Sequence, residues 1–383
     1  MTKRGPRHLL YVAGTALFLA FSPILPAAAQ GGGAAFLAGL GAHRTLGSTE
    51  PANGDLNPYA VAIAPAGFGS VHQGDVLVTN FNNARNFQGT GSTIMAYRPA
   101  TGAFSVFATV PRTLAGCPGG VGLTAALAVL KSGWVIVGSA PSTDGTPRTL
   151  GTGCLIVLDA RGNVAGTITG PEIDDPWGDM AVIDRGDQAQ LFVSNVGFGL
   201  MGSAAGAAQR QANVVRLDLV IAPGKPPAVR ARTVIAEGFG AQTDPSVFLI
   251  GPTGLALGPQ GQLFVSDALG NRIVAIDKAA TRTRPAGTGR EVTRDGFLHR
   301  PLALVLAPNG NLLAVNGLNG DVVEIDPGSG RQIGRQLIDD DEAQTPPGSG
   351  DLFGLAIMPD GEGFYYVEDD VNTLVAAKRA KGK

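Results

Sequence analysis

The chain has 383 residues, of which 44% are hydrophobic and 16% are charged, and its formal net charge is −2 at pH 7. Proteins that bind nucleic acid need a concentrated basic face, so this charge balance argues against a nucleic-acid partner. The 56 glycines and 26 prolines argue against a helical protein, because both residues disfavour helix interiors.

The first 29 residues have the pattern of a secretory signal peptide. Lys3, Arg4 and Arg7 precede an apolar run, and three alanines at 27–29 offer the small side chains that a signal peptidase recognises. The alternative is a membrane anchor, for which this run is short. We predict cleavage near Ala29 and a secreted or periplasmic mature protein with no membrane span.

One pattern then recurs six times along the chain. Each copy has an apolar run, a turn containing Gly, Pro, Asn or Asp, a second run that ends in a polar residue, and a third run. Such short runs with close turns indicate strands. The second runs end at Asn80, Ser139, Asn195, Asp267, Asn316 and about Asp369. These ends lie roughly 50 to 70 residues apart, the length of one four-stranded propeller blade.

A fourth, outer strand is predicted in the first five copies, at residues 103–110, 164–169, 232–237, 290–294 and 332–338. The last copy lacks one, and an open sheet edge is a liability. Residues 42–48 are therefore predicted to supply the missing strand. The predicted fold is an all-β, six-bladed β-propeller closed by an N-terminal strand in the last blade. It comprises an N-terminal segment at 30–50, the propeller at 51–379 and a basic tail at 380–383.

The chain has two cysteines, Cys117 and Cys154. An exported protein meets an oxidising compartment, which favours a disulfide between them. Two buried free thiols are the alternative. The sequence has no C-x-x-C motif and no His/Cys cluster, so a structural zinc site is not expected.

The copy that begins Gly254-Leu255-Ala256, continues Gly261-Gln262-Leu263-Phe264-Val265-Ser266-Asp267 and ends Asn271-Arg272-Ile273 resembles an NHL repeat. It is also similar to the SMP-30/gluconolactonase-like and strictosidine-synthase-like propellers. The resemblance implies Ca²⁺ or another divalent cation at the tunnel mouth and hydrolysis of lactones or phosphotriesters. Members of the SMP-30 group open their first blade with Glu-Gly-Pro, whereas this chain has Asn57 at the ligand position.

In this geometry two positions of each blade surround the tunnel mouth, because antiparallel strands place the start of the first strand beside the end of the second. The first position is Asn57, Leu123, Asp175, Gly251, Arg300 or Asp351 in successive blades. Oxygen ligands suit a hard cation. The predicted metal ligands are Asn57, Asp175, Asn195, Asp267, Asn316 and Asp369. The alternative is that these strand-end residues cap turns.

A long polar loop at 80–92 lies on the same predicted face. Loops of this kind often carry binding residues. The predicted ligand-binding residues are Asn80, Asn82, Asn83, Arg300 and Asp351. His299 is a candidate general base, because histidine titrates near neutral pH.

Three functions follow from these patterns. The first is a monomeric binding propeller that recognises a ligand or a protein partner on its loop-rich face. The alternative is a divalent-metal-dependent hydrolase or lactonase of the SMP-30 kind. The third is an enzyme similar to lyases and strictosidine synthase that uses the same mouth.

Overall fold

The computed structural model describes residues 1–2 and 35–379. The chain divides into two compact units, Met1–Gly33 and Ala34–Lys383, and only residues 1 and 2 of the first are described. Apart from those two residues, the predicted signal peptide lies outside the described residues, as does the predicted tail at 380–383. No helix among residues 1–2 and 35–379 has the length and apolar character that a membrane crossing requires.

The strands form six antiparallel sheets, and the first strand of the chain, β1 (Ala42–Ser48), belongs to the last of them. Blade 1 contains β2 (Leu56–Ile63), β3 (Val76–Asn82), β4 (Thr93–Arg98) and β5 (Ala103–Thr109). Blade 2 contains β6 (Leu123–Val129), β7 (Val135–Ser139), β8 (Cys154–Leu158) and β9 (Val164–Ile168). Blade 3 contains β10 (Ala181–Asp184), β11 (Gln188–Asn195), β12 (Gln209–Val220), β13 (Ala228–Asp244) and β14 (Phe248–Ile250).

Blade 4 contains β15 (Pro252–Leu257), β16 (Leu263–Asp267), β17 (Arg272–Ile276) and β18 (Arg290–Arg294). Blade 5 contains β19 (Pro301–Leu306), β20 (Leu312–Asn316), β21 (Asp321–Ile325) and β22 (Gln332–Leu337). Blade 6 contains β23 (Leu352–Ile357), β24 (Gly363–Glu368) and β25 (Thr373–Lys378). Two short 3-10 helices, Pro147–Thr149 and Ala279–Thr281, lie between strands. The predicted all-β propeller of six blades is confirmed.

Blade 6 is completed by the N-terminal strand, as predicted. β1 pairs antiparallel with β25, with Ala42 opposite Lys378 and Ser48 opposite Thr373. The sheet order is β1-β25-β24-β23, so the outermost strand of the last blade comes from the start of the propeller. This pairing covers the edge that β25 would otherwise expose.

The segment before β1 is held against blade 5 by the buried carboxylate of Glu324. The Glu324 oxygens accept hydrogen bonds from the backbone N–H groups of Phe36 and Leu37, at 2.8 and 3.0 Å. They also accept hydrogen bonds from the side-chain amides of Asn309 and Asn311. Burial acts to raise the pKa of Glu324, but these hydrogen bonds outweigh it and hold the pKa below its ordinary value.

Removal of this carboxylate should loosen the N-terminal segment. We expect Glu324→Gln to lower the free energy of unfolding by about 1–3 kcal/mol, because the amide replaces one of the two acceptor oxygens with an NH2 donor, so either Phe36 N–H or Leu37 N–H loses its acceptor. Chemical denaturation measures the loss. Glu342→Gln, at an exposed position, is the control and should have no measurable effect. Equal stability of the two variants would contradict this role.

The six inner strands approach one another closely around the central axis, and glycine permits this. A Cβ atom on Gly254 would lie 2.4 Å from both Leu302 O and Leu304 N of the next blade. A Cβ on Gly354 would lie 2.4 Å from Tyr59 O. Real side chains do not tolerate such distances to backbone, so these positions exclude every residue with a Cβ unless the inner strands move apart.

Five buried aromatic side chains fill the middle of the tunnel. Tyr59 stacks on Phe81 and Phe353, with ring centroids 4.5 and 3.8 Å apart. Trp177 packs edge-on against Tyr59, Phe81 and Phe353, and it stacks beside Phe248. We call this cluster the aromatic plug. It separates the two ends of the tunnel, because Asn57 lines a cavity on one side of it and Val61 lines a cavity on the other.

Cys117 and Cys154 form a disulfide with their Cα atoms 5.5 Å apart. Both residues are buried in blade 2. The predicted disulfide is therefore present, and the alternative of two free thiols is wrong.

Candidate functional site

A polar cavity of about 530 Å³ opens on the face where the inner strands begin, which we call the loop-rich face. Blades 1, 5 and 6 supply most of its walls, together with the loop that precedes β14. Its polar lining includes Asn57, Asn82, Gln88, Arg300, Asp351, Asp369 and Asp370. We call it the upper cavity. Its size and its few convergent polar groups are typical of a small-molecule site.

Asp351, Asp369 and Asp370 line one wall of the upper cavity, and Asp339 lies behind them, outside the lining. Asp339, Asp351 and Asp370 each offer an oxygen atom, and these oxygens all lie within 4.8 Å of one another. Asp339 and Asp351 are only 6% and 5% exposed, whereas Asp370 is exposed. We call these three residues the acidic cluster. Asp369 lines the same cavity beside Asp351, and its N–H donates to the Asp351 carbonyl.

Two oxygen atoms of the acidic cluster are buried without a hydrogen-bond donor. They are Asp339 Oδ2 and Asp351 Oδ2. The other oxygen of Asp339 accepts a hydrogen bond of 3.1 Å from the N–H of Asp341. Buried polar atoms in native proteins nearly always have a partner, so these two oxygens are suited to bind a cation or a water molecule.

Desolvation and mutual repulsion perturb every carboxyl group here. Desolvation raises the pKa of Asp351 to about 7, and the charges of Asp370 and Asp339 add to the effect. Desolvation, followed by repulsion from Asp351 and Asp370, raises the pKa of Asp369 well above its ordinary value. The pKa values of Asp339 and Asp370 are also raised, in both cases chiefly by desolvation. A bound cation would relieve this repulsion.

Arg300 brings a positive charge to another wall of the upper cavity. Its backbone has a φ of +57°, an uncommon conformation for a bulky residue. Its N–H donates to Asn271 Oδ1, and its carbonyl accepts a hydrogen bond from Gly317 N. The guanidinium lies 3.9 Å from Asp244, and burial lowers its pKa from the ordinary value. This loosely paired cation can receive a carbonyl or carboxylate oxygen of a ligand.

Amide side chains from blade 1 complete the lining. Asn57, with a φ of +64°, carries a buried Oδ1 without a donor. Asn82 Nδ2 donates to Asn86 Oδ1, while Asn82 Oδ1 is also buried without a donor. Gln88 Nε2 donates to Ser246 O, at 3.0 Å, and so joins the polar loop to blade 3. The side-chain carbonyl oxygens of Asn57 and Asn82 can coordinate a hard cation or accept a hydrogen bond from a hydroxyl group of a ligand.

Five of the residues predicted from the sequence line this cavity, namely Asn57, Asn82, Arg300, Asp351 and Asp369. Asp339 and Asp370 were not predicted. The sequence signal for Asp339 was the run Asp339-Asp340-Asp341-Glu342, an unusual density of carboxyl groups in one loop.

Three strand-end residues instead make hydrogen bonds to other groups of their own blades. Asp267 accepts from Arg272 Nε at 2.8 Å and from Gly270 N at 3.0 Å. Asn195 accepts from Asp174 N and donates to Asn213 Oδ1. Asn316 accepts from His299 N and donates to Phe297 O and Asn319 Oδ1. The contacts of Asp267 match the turn-capping alternative, whereas Asn195 and Asn316 join the strand end to the loop before the first strand of the same blade. We leave all three residues out of the proposed site.

The other predicted residues also lie outside the lining of the upper cavity. Asp175 is buried, and desolvation followed by repulsion from Asp174 raises its pKa well above the ordinary value. Asn80 Nδ2 donates to Thr49 O, and Asn83 Oδ1 accepts from Arg85 N inside the polar loop. The His299 side chain is exposed.

No protein-family model and no curated protein matches the chain. Solved structures do match. A gluconolactonase from Xanthomonas campestris is 15% identical, with 90% of this chain and 92% of that chain covered, at a TM-score of 0.54. A luciferin-regenerating enzyme is 10% identical, with 86% and 96% covered, at 0.49. A streptogramin B lyase is 13% identical, with 88% and 96% covered, at 0.47.

The likeness to the Xanthomonas enzyme bears on the fold alone, because the identity is low. It confirms at the level of the fold the predicted resemblance to gluconolactonase-like propellers. The chain therefore has the fold of a six-bladed β-propeller, which is similar to the fold of this gluconolactonase.

Proposed function

We propose that the protein binds a small polar ligand in the upper cavity, together with a divalent cation such as Ca²⁺ at the acidic cluster. The observation that carries the proposal is the pair of buried, donor-free oxygens of Asp339 and Asp351, which lie in a cluster of three carboxylates. Carboxylates that repel one another at close range need a cation or a shared proton.

The donor set fits a hard cation. Ca²⁺ takes about six to eight oxygen ligands, and carboxylates and amide carbonyls are the usual ones. Asp339, Asp351 and Asp370 would hold the ion, and a ligand oxygen or water would complete its shell. When bound, the ion would act as a Lewis acid toward a ligand carbonyl or hydroxyl. Arg300 would receive a second ligand oxygen across the cavity.

The cation part of the proposal is tested by calorimetric titration of metal-stripped protein with Ca²⁺. We expect binding, together with a rise in melting temperature that EDTA reverses. Asp351→Asn should weaken Ca²⁺ binding at least tenfold, since loss of even an outer-shell partner of a metal costs about 10–100-fold. Asp340→Asn removes the same charge from an exposed position in the same loop and should change the affinity less than about threefold.

Absence of Ca²⁺ binding to the folded, metal-stripped protein would overturn the cation part of the proposal. Equal Ca²⁺ affinity in the Asp351→Asn and Asp340→Asn variants would also overturn it, because the ion would then lie elsewhere.

A lactone hydrolase is the second candidate, and the presence of Asp369 and Arg300 in one cavity favours it. Asp369 is not among the three residues proposed to hold the cation, so its carboxylate can take a proton from water. That water would attack the lactone carbonyl, the ring C–O bond would break, and the product would be a hydroxy acid. Arg300 would stabilise the negative charge on the carbonyl oxygen.

Hydrolysis of a panel of sugar and aliphatic lactones, followed with a pH indicator in the presence of Ca²⁺, tests this candidate. We expect Arg300→Gln to lower kcat/KM on the order of 100-fold, as loss of one oxyanion donor does. A protein that binds Ca²⁺ but hydrolyses none of the panel is a binding propeller.

We further propose that the protein acts as an exported monomer, on a ligand or a protein partner. The disulfide supports the exported location, because such bonds persist in oxidising compartments. The signal-peptide pattern of residues 1–29 supports the same location.

A further inference from the structure

A second cavity, of about 430 Å³, opens at the other end of the tunnel. We call it the lower cavity. The inner strands of all six blades line it, with side chains such as Val61, Leu127, Leu255, Leu304 and Leu355. Each inner strand is paired with only one neighbour in its sheet. The unpaired backbone edges of these strands therefore face the axis beside the apolar side chains.

Asp179 is the single ionisable side chain among the described residues that line the lower cavity. It follows Trp177 of the aromatic plug by two residues. Its carboxylate reaches from blade 3 to blade 5, where Oδ2 accepts a hydrogen bond of 3.3 Å from Leu304 N. No ion pair joins Asp179 to a basic side chain in the described part of the chain.

A charged carboxylate between apolar walls costs free energy unless a cation or a hydrogen-bond donor pairs with it. Desolvation raises its pKa to about 7, and the Leu304 N–H only partly offsets the effect. One carboxylate between apolar walls does not suit Ca²⁺, which needs about six to eight oxygens. It does suit an organic ammonium group, whose N–H donors can reach the carboxylate and the carbonyls of the strand edges while its alkyl part covers the leucines.

We propose that the lower cavity is a second binding site, which takes a small primary amine with an apolar chain and pairs its ammonium group with Asp179. The aromatic plug separates this site from the upper cavity. The site is therefore independent of the cation and the ligand proposed there, and either proposal can fail without the other.

The experiment titrates the purified protein with n-hexylammonium at pH 8 and follows binding by calorimetry and by ligand-observed NMR. n-Hexanol and hexanoate serve as probes of the same length with no charge and with the opposite charge. We expect n-hexylammonium to bind at least about tenfold more tightly than n-hexanol, because a charge-assisted hydrogen bond contributes that much. We expect hexanoate not to bind.

The variant Asp179→Asn keeps the shape of the side chain and removes its charge. We expect the dissociation constant for n-hexylammonium to rise at least about tenfold, while that for n-hexanol stays within about twofold. Asp277→Asn removes the same charge from an exposed turn and should bind n-hexylammonium as the unmodified protein does.

Several results would overturn the proposal. Equal affinity for n-hexylammonium and n-hexanol would show that the charge of Asp179 is not used. Unchanged affinity in Asp179→Asn would place the amine elsewhere, and displacement of the amine by millimolar K⁺ would indicate an inorganic cation site. If Asp179→Asn does not fold, the comparison of the three probes on the unmodified protein still shows whether the cavity selects a positively charged ligand.

Discussion

Replacement of Trp177 by alanine is expected to lower the free energy of unfolding by about 3–5 kcal/mol, the usual cost of truncating a buried aromatic side chain. Trp177 is fully buried and contacts four other rings of the aromatic plug. In a domain of this size the loss corresponds to a fall in melting temperature of about 5 °C. Differential scanning calorimetry measures it.

The matched control is Trp177→Phe. The Trp177 Nε1 atom is buried without a hydrogen-bond partner, so phenylalanine removes a costly donor while it keeps most of the ring contact. We expect a loss of less than about 2 kcal/mol. Added indole should partly restore the melting temperature of Trp177→Ala, because apolar cavities bind apolar guests. Equal stability of the alanine and phenylalanine variants would contradict the role of the plug.

The position of Trp177 also explains how one short segment serves both ends of the tunnel. Asp175, Trp177 and Asp179 lie at every second residue of the segment that leads into β10. Asp175 lies toward the loop-rich face, Trp177 fills the plug and Asp179 lines the lower cavity. A charged residue on each side of a tryptophan is the sequence signal of this arrangement.

The blades could be predicted from the sequence because each strand and turn depends mainly on the residues of its own short segment. Turns such as Pro308-Asn309-Gly310 and the alternation of apolar runs define strands without knowledge of the rest of the chain. Closure of the ring was also predictable, because the missing fourth strand of blade 6 had one candidate at residues 42–48. In blade 3 the sequence predicted an outer strand at residues 232–237. The observed strand β13 is longer, at Ala228–Asp244, and a fifth strand, β14, follows it.

The site could be predicted only in part, because equivalent positions in six blades are not equivalent in chemistry. Asp267 and Asp369 both end a second strand, yet Asp267 has Arg272 as its partner whereas Asp369 lies among other carboxyl groups. The repeat pattern predicts the position of each residue but not its neighbours. Asp339 joins the acidic cluster from a long loop whose path no strand pattern determines.

The second large effect is expected on removal of the disulfide. Cys117 and Cys154 lie 37 positions apart in the sequence, and the segment between them includes β6 and β7 of blade 2. In the chain-entropy model, a loop of this length restricts the unfolded chain by about 4 kcal/mol. The bond also joins the loop before β6 to the start of β8, so its loss frees that loop.

We expect the double variant Cys117→Ala, Cys154→Ala to melt about 5 °C below the unmodified protein, given the size of the domain. Alanine is preferred to serine because both positions are buried and an unpaired hydroxyl there would add a separate cost. The reductant TCEP should lower the melting temperature of the unmodified protein toward that of the double variant and leave the double variant unchanged. If the two proteins melt together in the absence of reductant, the bond does not stabilise the native state. The disulfide would then no longer support the proposal that the protein functions in an oxidising compartment.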